Sequence, residues 1–376
     1  MTDSNVNAPS LAEQLIRNNL KALKPYESAR RLFKMSDSSE VETAWLNANE
    51  NPYLPDIKIN PALYNRYPDF QPEPLINAYA KYAKVTNQQV LATRGADEGI
   101  ELLIRTFCET NDSVLICPPT YGMYAISSET NQANIIKVNA LDDFQLNVDE
   151  VVKQINEVSN KVKIVFVCSP NNPTGQIIKR DDLIAVIEAA QGKAIVVADE
   201  AYIEFCLEAS VIELINQYDN LVVLRTLSKA FGLAGLRCGF TLSNTDIIDA
   251  LKKVIAPYPV PAPVAQIATN SLSNDGLVWM LDKVSQLNSL RDDFIEFAKT
   301  LSFVESVYPS QTNFVLLKLK QNMTSQQVMD TFSKQHILLR DQSKQVMLGS
   351  TVRVSIGNTE QMAQVQQIFS EVEQTL

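Results

Sequence analysis

Between Leu224 and Gly239 an apolar run gives way to Ser228 and Lys229, and Arg237 follows eight residues after the lysine. A lysine in a loop after an apolar strand can be desolvated, which favours its neutral amine and makes it a nucleophile toward carbonyls. A second apolar run, Ile195 to Ala198, ends in Asp199, with Tyr202 three residues later. The carboxyl end of a parallel strand is where α/β proteins bind ligands. A third run closes at Cys168 and continues into an Asn-Pro turn containing Asn172. Residues 93–100 join Gly95 to a helical pattern starting at Ala96 and Asp97. Free N–H groups and the helix dipole at such a junction suit a phosphate. Tyr121 lies just beyond another apolar run, where an aromatic ring can stack on a flat ligand.

Each segment alone has an ordinary explanation: a solvated lysine, a helix cap, a good turn, a packing aromatic. Together they supply a lysine for an imine, a carboxylate for a pyridinium nitrogen and a phosphate cup. They add hydrogen-bond donors for a ring hydroxyl and an aromatic face, which completes the requirements of pyridoxal phosphate. Glycine supports the grouping, since only 11 occur in the chain and Gly95, Gly99, Gly122, Gly175, Gly232, Gly235 and Gly239 all fall in these segments. Glycine is used where backbone turns sharply or approaches a ligand closely.

The elements that must position these groups alternate along the chain. Apolar periodicity predicts a helix over Thr93–Cys108, with Ile100, Leu103, Ile104 and Phe107 on one face. Short β-branched runs at Val114–Cys117, Lys163–Cys168, Ala194–Ala198 and Leu221–Leu224 read as strands buried on both faces of a parallel sheet. A helix over Asp181–Ala190 lies among them. Four prolines in residues 256–263 mark a boundary or irregular crossing. Beyond it an amphipathic helix over about 277–300 precedes strands at Thr312–Leu319 and Val352–Ile356 and helices at Thr324–Gln335 and Thr359–Thr375. The expected architecture is α/β: a large domain, 49–270, with a mostly parallel sheet covered by helices, and a smaller α+β domain, 271–376. Residues 1–48 form an N-terminal arm expected to pack with the small domain.

Composition narrows the chemistry. The 376 residues are 45% hydrophobic and 20% charged, with 33 basic and 43 acidic side chains and a net charge of −10. That balance argues against nucleic acid as a partner, and Arg30-Arg31 is too short to reverse it. Five scattered cysteines (108, 117, 168, 206, 238) show no paired spacing, so neither a disulfide framework nor a metal site is expected. One histidine, His336, leaves little room for serine- or cysteine-hydrolase chemistry. The polar start, Met1 to Ser10, and the lack of a long apolar run predict a cytoplasmic protein without a signal peptide or a membrane span.

The chain resembles the fold-type I aminotransferases from about Pro25 to near its C-terminus. The resemblance rests on WLNANENP (45–52), NRYPDFQP (65–72), RGADEGIELLIR (94–105), CPPTYGMY (117–124), CSPNNPTGQ (168–176), VVADEAYIEFC (196–206) and RTLSKAFGLAGLRCGF (225–240). RGADEGIELLIR, with KVIAPYPVPAPVA (253–265), points to the histidinol-phosphate branch. The resemblance implies that Lys229 carries the cofactor and moves the reaction's proton. Asp199 would pair with the pyridine nitrogen, Asn172 and Tyr202 would bond the ring oxygen, and Tyr121 would stack on the ring. The Ala96 and Asp97 N–H groups, Ser228, Arg237 and, less directly, Thr226 would hold the phosphate. Tyr67 would reach the phosphate of a neighbouring subunit in a homodimer with shared sites. Tyr26, Asn172, Arg340 and Arg353 would bind substrate, guanidinium being suited to carboxylate and phosphate alike. The implied reaction exchanges L-histidinol phosphate and 2-oxoglutarate for imidazole acetol phosphate and L-glutamate. Aromatic aminotransferases and amino-acid-phosphate decarboxylases on the same scaffold share Lys229, Asp199 and Arg237 and remain the alternatives.

Overall fold

The computed structural model describes residues 15–24, 43–61 and 64–374. Its main sheet has seven strands in the order β2-β8-β7-β6-β5-β3-β4. They are β2 (Val90–Thr93), β3 (Ser113–Ile116), β4 (Asn134–Lys137), β5 (Val162–Cys168), β6 (Ile195–Asp199), β7 (Leu221–Thr226) and β8 (Gly239–Ser243). Strands β4, β3, β5, β6 and β7 pair in parallel, and β8 runs antiparallel to both β7 and β2.

The apolar runs are double-faced, as covered strands require. On β6, Val196 and Ala198 enter one core cluster and Val197 the other. On β7, Leu221 and Val223 face one way and Val222 and Leu224 the other. All six of these valines and leucines are fully buried, and each such side chain contributes about 1.5–3 kcal/mol on leaving water. The sheet is thus held from both sides, and its polar residues are pushed to the strand ends.

Strand polarity then assembles the site. The carboxyl ends of β3, β5, β6 and β7 lie along one edge, where ligands bind in such sheets. The reversed strand β8 starts at that edge with Gly239, paired to Thr93 at the end of β2 and to Thr226 at the end of β7. One antiparallel strand therefore brings Arg237 and the start of helix α1 (Ala96–Phe107) beside Lys229.

A second sheet, β12-β13-β10-β9, is antiparallel and built from β9 (Val304–Val307), β10 (Phe314–Leu319), β12 (Arg340–Asp341) and β13 (Thr351–Ser355). The short strand β1 (Ala44–Trp45) pairs in parallel with β11 (Ile337–Leu338). The 26-residue helix α2 (Asn274–Lys299) contacts β9 and β10.

Element types match the sequence reading, while several boundaries shift for local reasons. Helix α1 starts at Ala96, not Thr93, because Thr93 ends β2 and Gly95 turns the chain with φ of 79°. Helix α2 starts before residue 277 because the Ser273 hydroxyl accepts from the Gly276 N–H at 3.3 Å and caps it. Strand β10 starts at Phe314 because the Thr312 hydroxyl takes the Phe314 N–H at 3.3 Å in a tight turn. Of the four prolines in 256–263, Pro257, Pro259 and Pro261 lie in irregular chain and Pro263 sits in the first turn of a helix beginning at Ala262. Strands β2, β4, β8, β9 and β12 carried no pattern strong enough to be read beforehand.

Candidate active site

The strand ends open on a cavity of about 1020 Å³ whose far wall carries Arg340 and Arg353 from the second sheet and Gln342 just after β12. Ala96, Asp97, Tyr121, Asn172, Asp199, Tyr202, Thr226, Ser228, Lys229 and Arg237 line the same cavity. Residues more than 250 positions apart in the chain thus share one space.

Lys229 follows the end of β7 in a loop held tightly from below. The Leu227 N–H bonds the Cys238 carbonyl at 3.0 Å, and the Ser228 N–H bonds Thr226 Oγ1 at 3.1 Å. The Lys229 Nζ donates to the Ala48 carbonyl at 3.0 Å and lies 5.5 Å from the Tyr202 ring centroid. Burial, and then the positive charge of Arg353, lower its pKa to about 8. The amine is therefore poised toward its nucleophilic neutral form.

Asp199 is 3% exposed. It accepts from the Tyr124 hydroxyl at 2.6 Å and from the Ala201 N–H at 3.1 Å, and among the described residues it has no ion-pair partner. Burial pushes its pKa up to about 6, against the pull of those two hydrogen bonds. A buried carboxylate served only by neutral donors is suited to a cationic ligand nitrogen. In the same cavity, Tyr202 is buried, receives the Asn49 amide N–H at 3.0 Å, and packs edge-on to Phe314.

Around the α1 N-terminus, Arg237 Nη2 pairs with the Asp97 carboxylate at 3.1 Å and Nη1 donates to Ser228 Oγ at 3.4 Å. The Tyr121 hydroxyl donates to the other Asp97 oxygen at 2.9 Å, and its ring meets Tyr124 edge-on at 5.7 Å. Both partners of the Arg237–Asp97 pair are about half exposed, so the pair is weak and leaves the guanidinium open to a competing anion. The chain passes close behind: a Cβ on Gly239 would lie 2.6 Å from Ala96 N. Helix-terminal N–H groups, a hydroxyl and a guanidinium together fit a phosphate monoester. With Lys229 and Asp199, this donor set fits pyridoxal phosphate.

On the opposite wall, Arg353 donates from Nη1 to Asn172 Oδ1 at 2.6 Å and from Nη2 to the Asn47 carbonyl at 2.9 Å. Its guanidinium lies over the Phe314 ring at 5.2 Å. Arg340 is its cross-strand partner in the β12–β13 register. Side chains of directly paired residues project to the same face, which gives two adjacent cations for an anionic substrate group.

Two expected residues stand apart. Tyr67 is 80% exposed, stacks on Tyr258 at 4.5 Å, and does not line the cavity of its own chain. Tyr26 lies outside the described residues. The sequence reading also passed over residues the fold brings in. Tyr124, Asn47 and Asn49 lie within the motif segments but carry no local signal of a role, and Gln342 lies outside those segments. Behind the cavity floor, Arg225 and Glu200 form an ion pair at 2.8 Å, with side chains only 4% and 2% exposed. The signal that could have found it is an arginine directly after the apolar run Leu221–Leu224, which demands a partner once the strand continues through it.

The family described as aminotransferase class I and II matches residues 41–369. A histidinol-phosphate aminotransferase of Cronobacter sakazakii is 49% identical over 354 residues, covering 94% of this chain and 95% of the relative. One from Escherichia coli is 48% identical over 352 residues, covering 93% and 95%. Among solved structures, the histidinol-phosphate aminotransferase of Sinorhizobium meliloti in complex with pyridoxal-5'-phosphate superimposes with a TM-score of 0.83 at 20% identity, over 96% of this chain and 98% of that one.

Proposed function

This chain belongs to the class I and II aminotransferases, and within them to the histidinol-phosphate aminotransferases, and we propose that the residues lining the cavity divide the work as follows. The reaction is transamination of L-histidinol phosphate, and the cofactor is pyridoxal 5'-phosphate. When bound, pyridoxal phosphate accepts the amino group and delocalises the electron pair left at the substrate α-carbon. Lys229 holds the cofactor and, once freed, moves the proton at that carbon, an amine acting as general acid and base. Asp199 keeps a proton on the pyridine nitrogen, placing fixed charge where negative charge develops. Tyr202 and Asn172 orient the ring oxygen, and Tyr121 covers the ring face. The Ala96 and Asp97 N–H groups, Thr226, Ser228 and Arg237 bind the phosphate.

Arg353 and Arg340, with Tyr26, bind the substrate phosphate in one half-reaction and the carboxylate of 2-oxoglutarate or L-glutamate in the other. The paired register of the two arginines supports this, since two fork-shaped cations accept either anion. A homodimer supplies Tyr67 to the neighbouring cofactor phosphate. In its support, Leu54, Ile57, Ile59, Tyr64, Tyr67 and Phe70 are exposed apolar or aromatic side chains within residues 54–70, the kind of patch that marks association. The division into an arm (1–48), a large domain (49–270) and a small domain (271–376), and a cytoplasmic location, belong to the same reading. Among the described residues no helix is long and apolar enough to cross a membrane.

The observation carrying this reading is that Lys229 and Asp199, the latter without an ion-pair partner among the described residues, line one cavity with Arg353 and Arg340. The test is the visible spectrum of the purified protein upon addition of L-histidinol phosphate without a keto acid. The expected result is a yellow protein that bleaches to the amine form of the cofactor. A yellow protein that responds only to other amino acids would overturn the substrate, and one colourless even after added pyridoxal phosphate would overturn the role of Lys229.

A further inference from the structure

Asn49 carries no role in the reading above, yet several features of the fold converge on it. It is 1% exposed and adopts the left-handed backbone, φ 55°, which asparagine tolerates better than most residues. Its backbone N–H donates to Ser355 Oγ at 3.0 Å, and the Ser355 hydroxyl donates back to Asn49 Oδ1 at 2.9 Å. The Asn313 amide N–H takes the Asn49 carbonyl at 3.0 Å. With its oxygen held by Ser355, the amide has its Nδ2 turned toward Tyr202, and it donates to the phenol oxygen at 3.0 Å.

The direction of these bonds matters. A phenol that receives a hydrogen bond from Asn49 cannot also spend its own proton there, so that proton is available to the cavity. We propose that Asn49 is a positioning residue that makes Tyr202 a hydrogen-bond donor toward the cofactor's ring oxygen, and that Ser355 sets the orientation of its amide. Ser355 and Arg353 are two positions apart on β13, so they lie on the same face of that strand. The strand that carries the substrate-binding arginine therefore also orients the group that bonds the cofactor ring, through Ser355, Asn49 and Tyr202. The inference rests on the assignment of Tyr202 to the ring oxygen.

The proposal has a spectroscopic consequence. A hydrogen bond from Tyr202 stabilises the ring oxygen as an anion. Weakening it makes that oxygen retain more tightly the proton it shares with the Lys229 nitrogen, so the pH-dependent colour change of the loaded enzyme moves to higher pH. Asn49→Gly keeps the left-handed backbone accessible and removes the amide. Asn49→Asp keeps the shape but offers only acceptors, so the phenol proton turns away from the cavity. The charged groups facing Tyr202 and Lys229 (Asp199, Arg353, Glu50, Asp97 and Arg237) are unaltered in the glycine variant.

The experiment is a spectrophotometric pH titration of the pyridoxal-phosphate-loaded protein. One neutral hydrogen bond corresponds to an upward shift of about half a pH unit to one unit. Tyr202→Phe and Asn49→Asp are expected to give shifts of that order, Asn49→Gly a smaller one, and Asn49→Gly in the Tyr202→Phe background none beyond that of Tyr202→Phe. Unmoved midpoints in both Asn49 variants, with Tyr202→Phe shifted, would overturn the proposal. So would an Asn49→Gly shift that persists undiminished without the phenol. If Tyr202→Phe itself leaves the midpoint in place, the assignment of Tyr202 fails and the role of Asn49 falls with it.

Discussion

The lowered pKa of Lys229 can be measured on the cofactor-free chain. An amine with the ordinary lysine value of 10.5 is neutral in about one molecule in 3000 at pH 7, whereas a value of about 8 leaves about one in eleven neutral, roughly a 300-fold gain in reactive amine. Burial is the first cause and Arg353 the second, so Arg353→Gln should move the value back upward without restoring it fully. The assay is a short pulse of an amine-directed acylating reagent across pH 6–11, with labelling of Lys229 quantified by peptide mass spectrometry against exposed lysines. The expected midpoint is near 8 in the parent chain and higher in Arg353→Gln. The same shift has a stability signature. The unfolded chain binds the proton that folded Lys229 releases between about pH 8 and 10.5, so its contribution to stability rises with pH across that window. A Lys229 midpoint indistinguishable from that of exposed lysines would refute the argument from burial.

Other outcomes follow from particular contacts. Arg225→Leu strands the buried Glu200 carboxylate and should cost about 3–5 kcal/mol in urea unfolding, with much of the loss recovered when Glu200→Leu is added. Gly239→Ala places a Cβ 2.6 Å from Ala96 N, so backbone must yield at the phosphate cup. Cofactor affinity, read by fluorescence titration of the apoprotein, should fall by about tenfold or more, the order of a lost helix-terminal anion contact. Burial raises the folded pKa of Asp199 to about 6 and that of Glu204, a buried carboxyl that accepts from the Tyr82 hydroxyl, to about 7, above their ordinary 3.8 and 4.5. Their contributions to apoprotein stability are therefore present at low pH and are lost as pH rises through about 4–6 and 4.5–7. Thermal melting should accordingly show a larger gain from pyridoxal phosphate at pH 7 than at pH 5, because the ligand nitrogen restores a partner to Asp199.

Much of the cofactor side of the cavity could be read in advance because its residues sit at the ends of local patterns. Asp199 terminates a double-faced apolar strand, Asn172 follows another in a turn, and Lys229 follows a third. The reversed strand β8 was not legible, since Gly239–Ser243 mixes glycine, threonine and serine with only two apolar residues and nothing local sets its direction. Arg225 adjoins the apolar run Leu221–Leu224, but that the strand extends through it and that Glu200 is its partner were not legible, because the pairing depends on which strands lie side by side.

The sequence by itself determined the α/β class, the covered strands, the glycine-rich junctions and the residue types of the cofactor site. Each of these is written in a window of a dozen residues or fewer, through side-chain periodicity, backbone permissiveness and strand-end polarity. Only the tertiary structure decided the pKa of Lys229, the pairing of Arg340 with Arg353, and the chain of hydrogen bonds from Ser355 through Asn49 to Tyr202. Asn49 and Ser355 are 306 positions apart. Burial, register and the direction of a hydrogen bond depend on what the rest of the fold brings within 3 Å, and no local pattern records that distance.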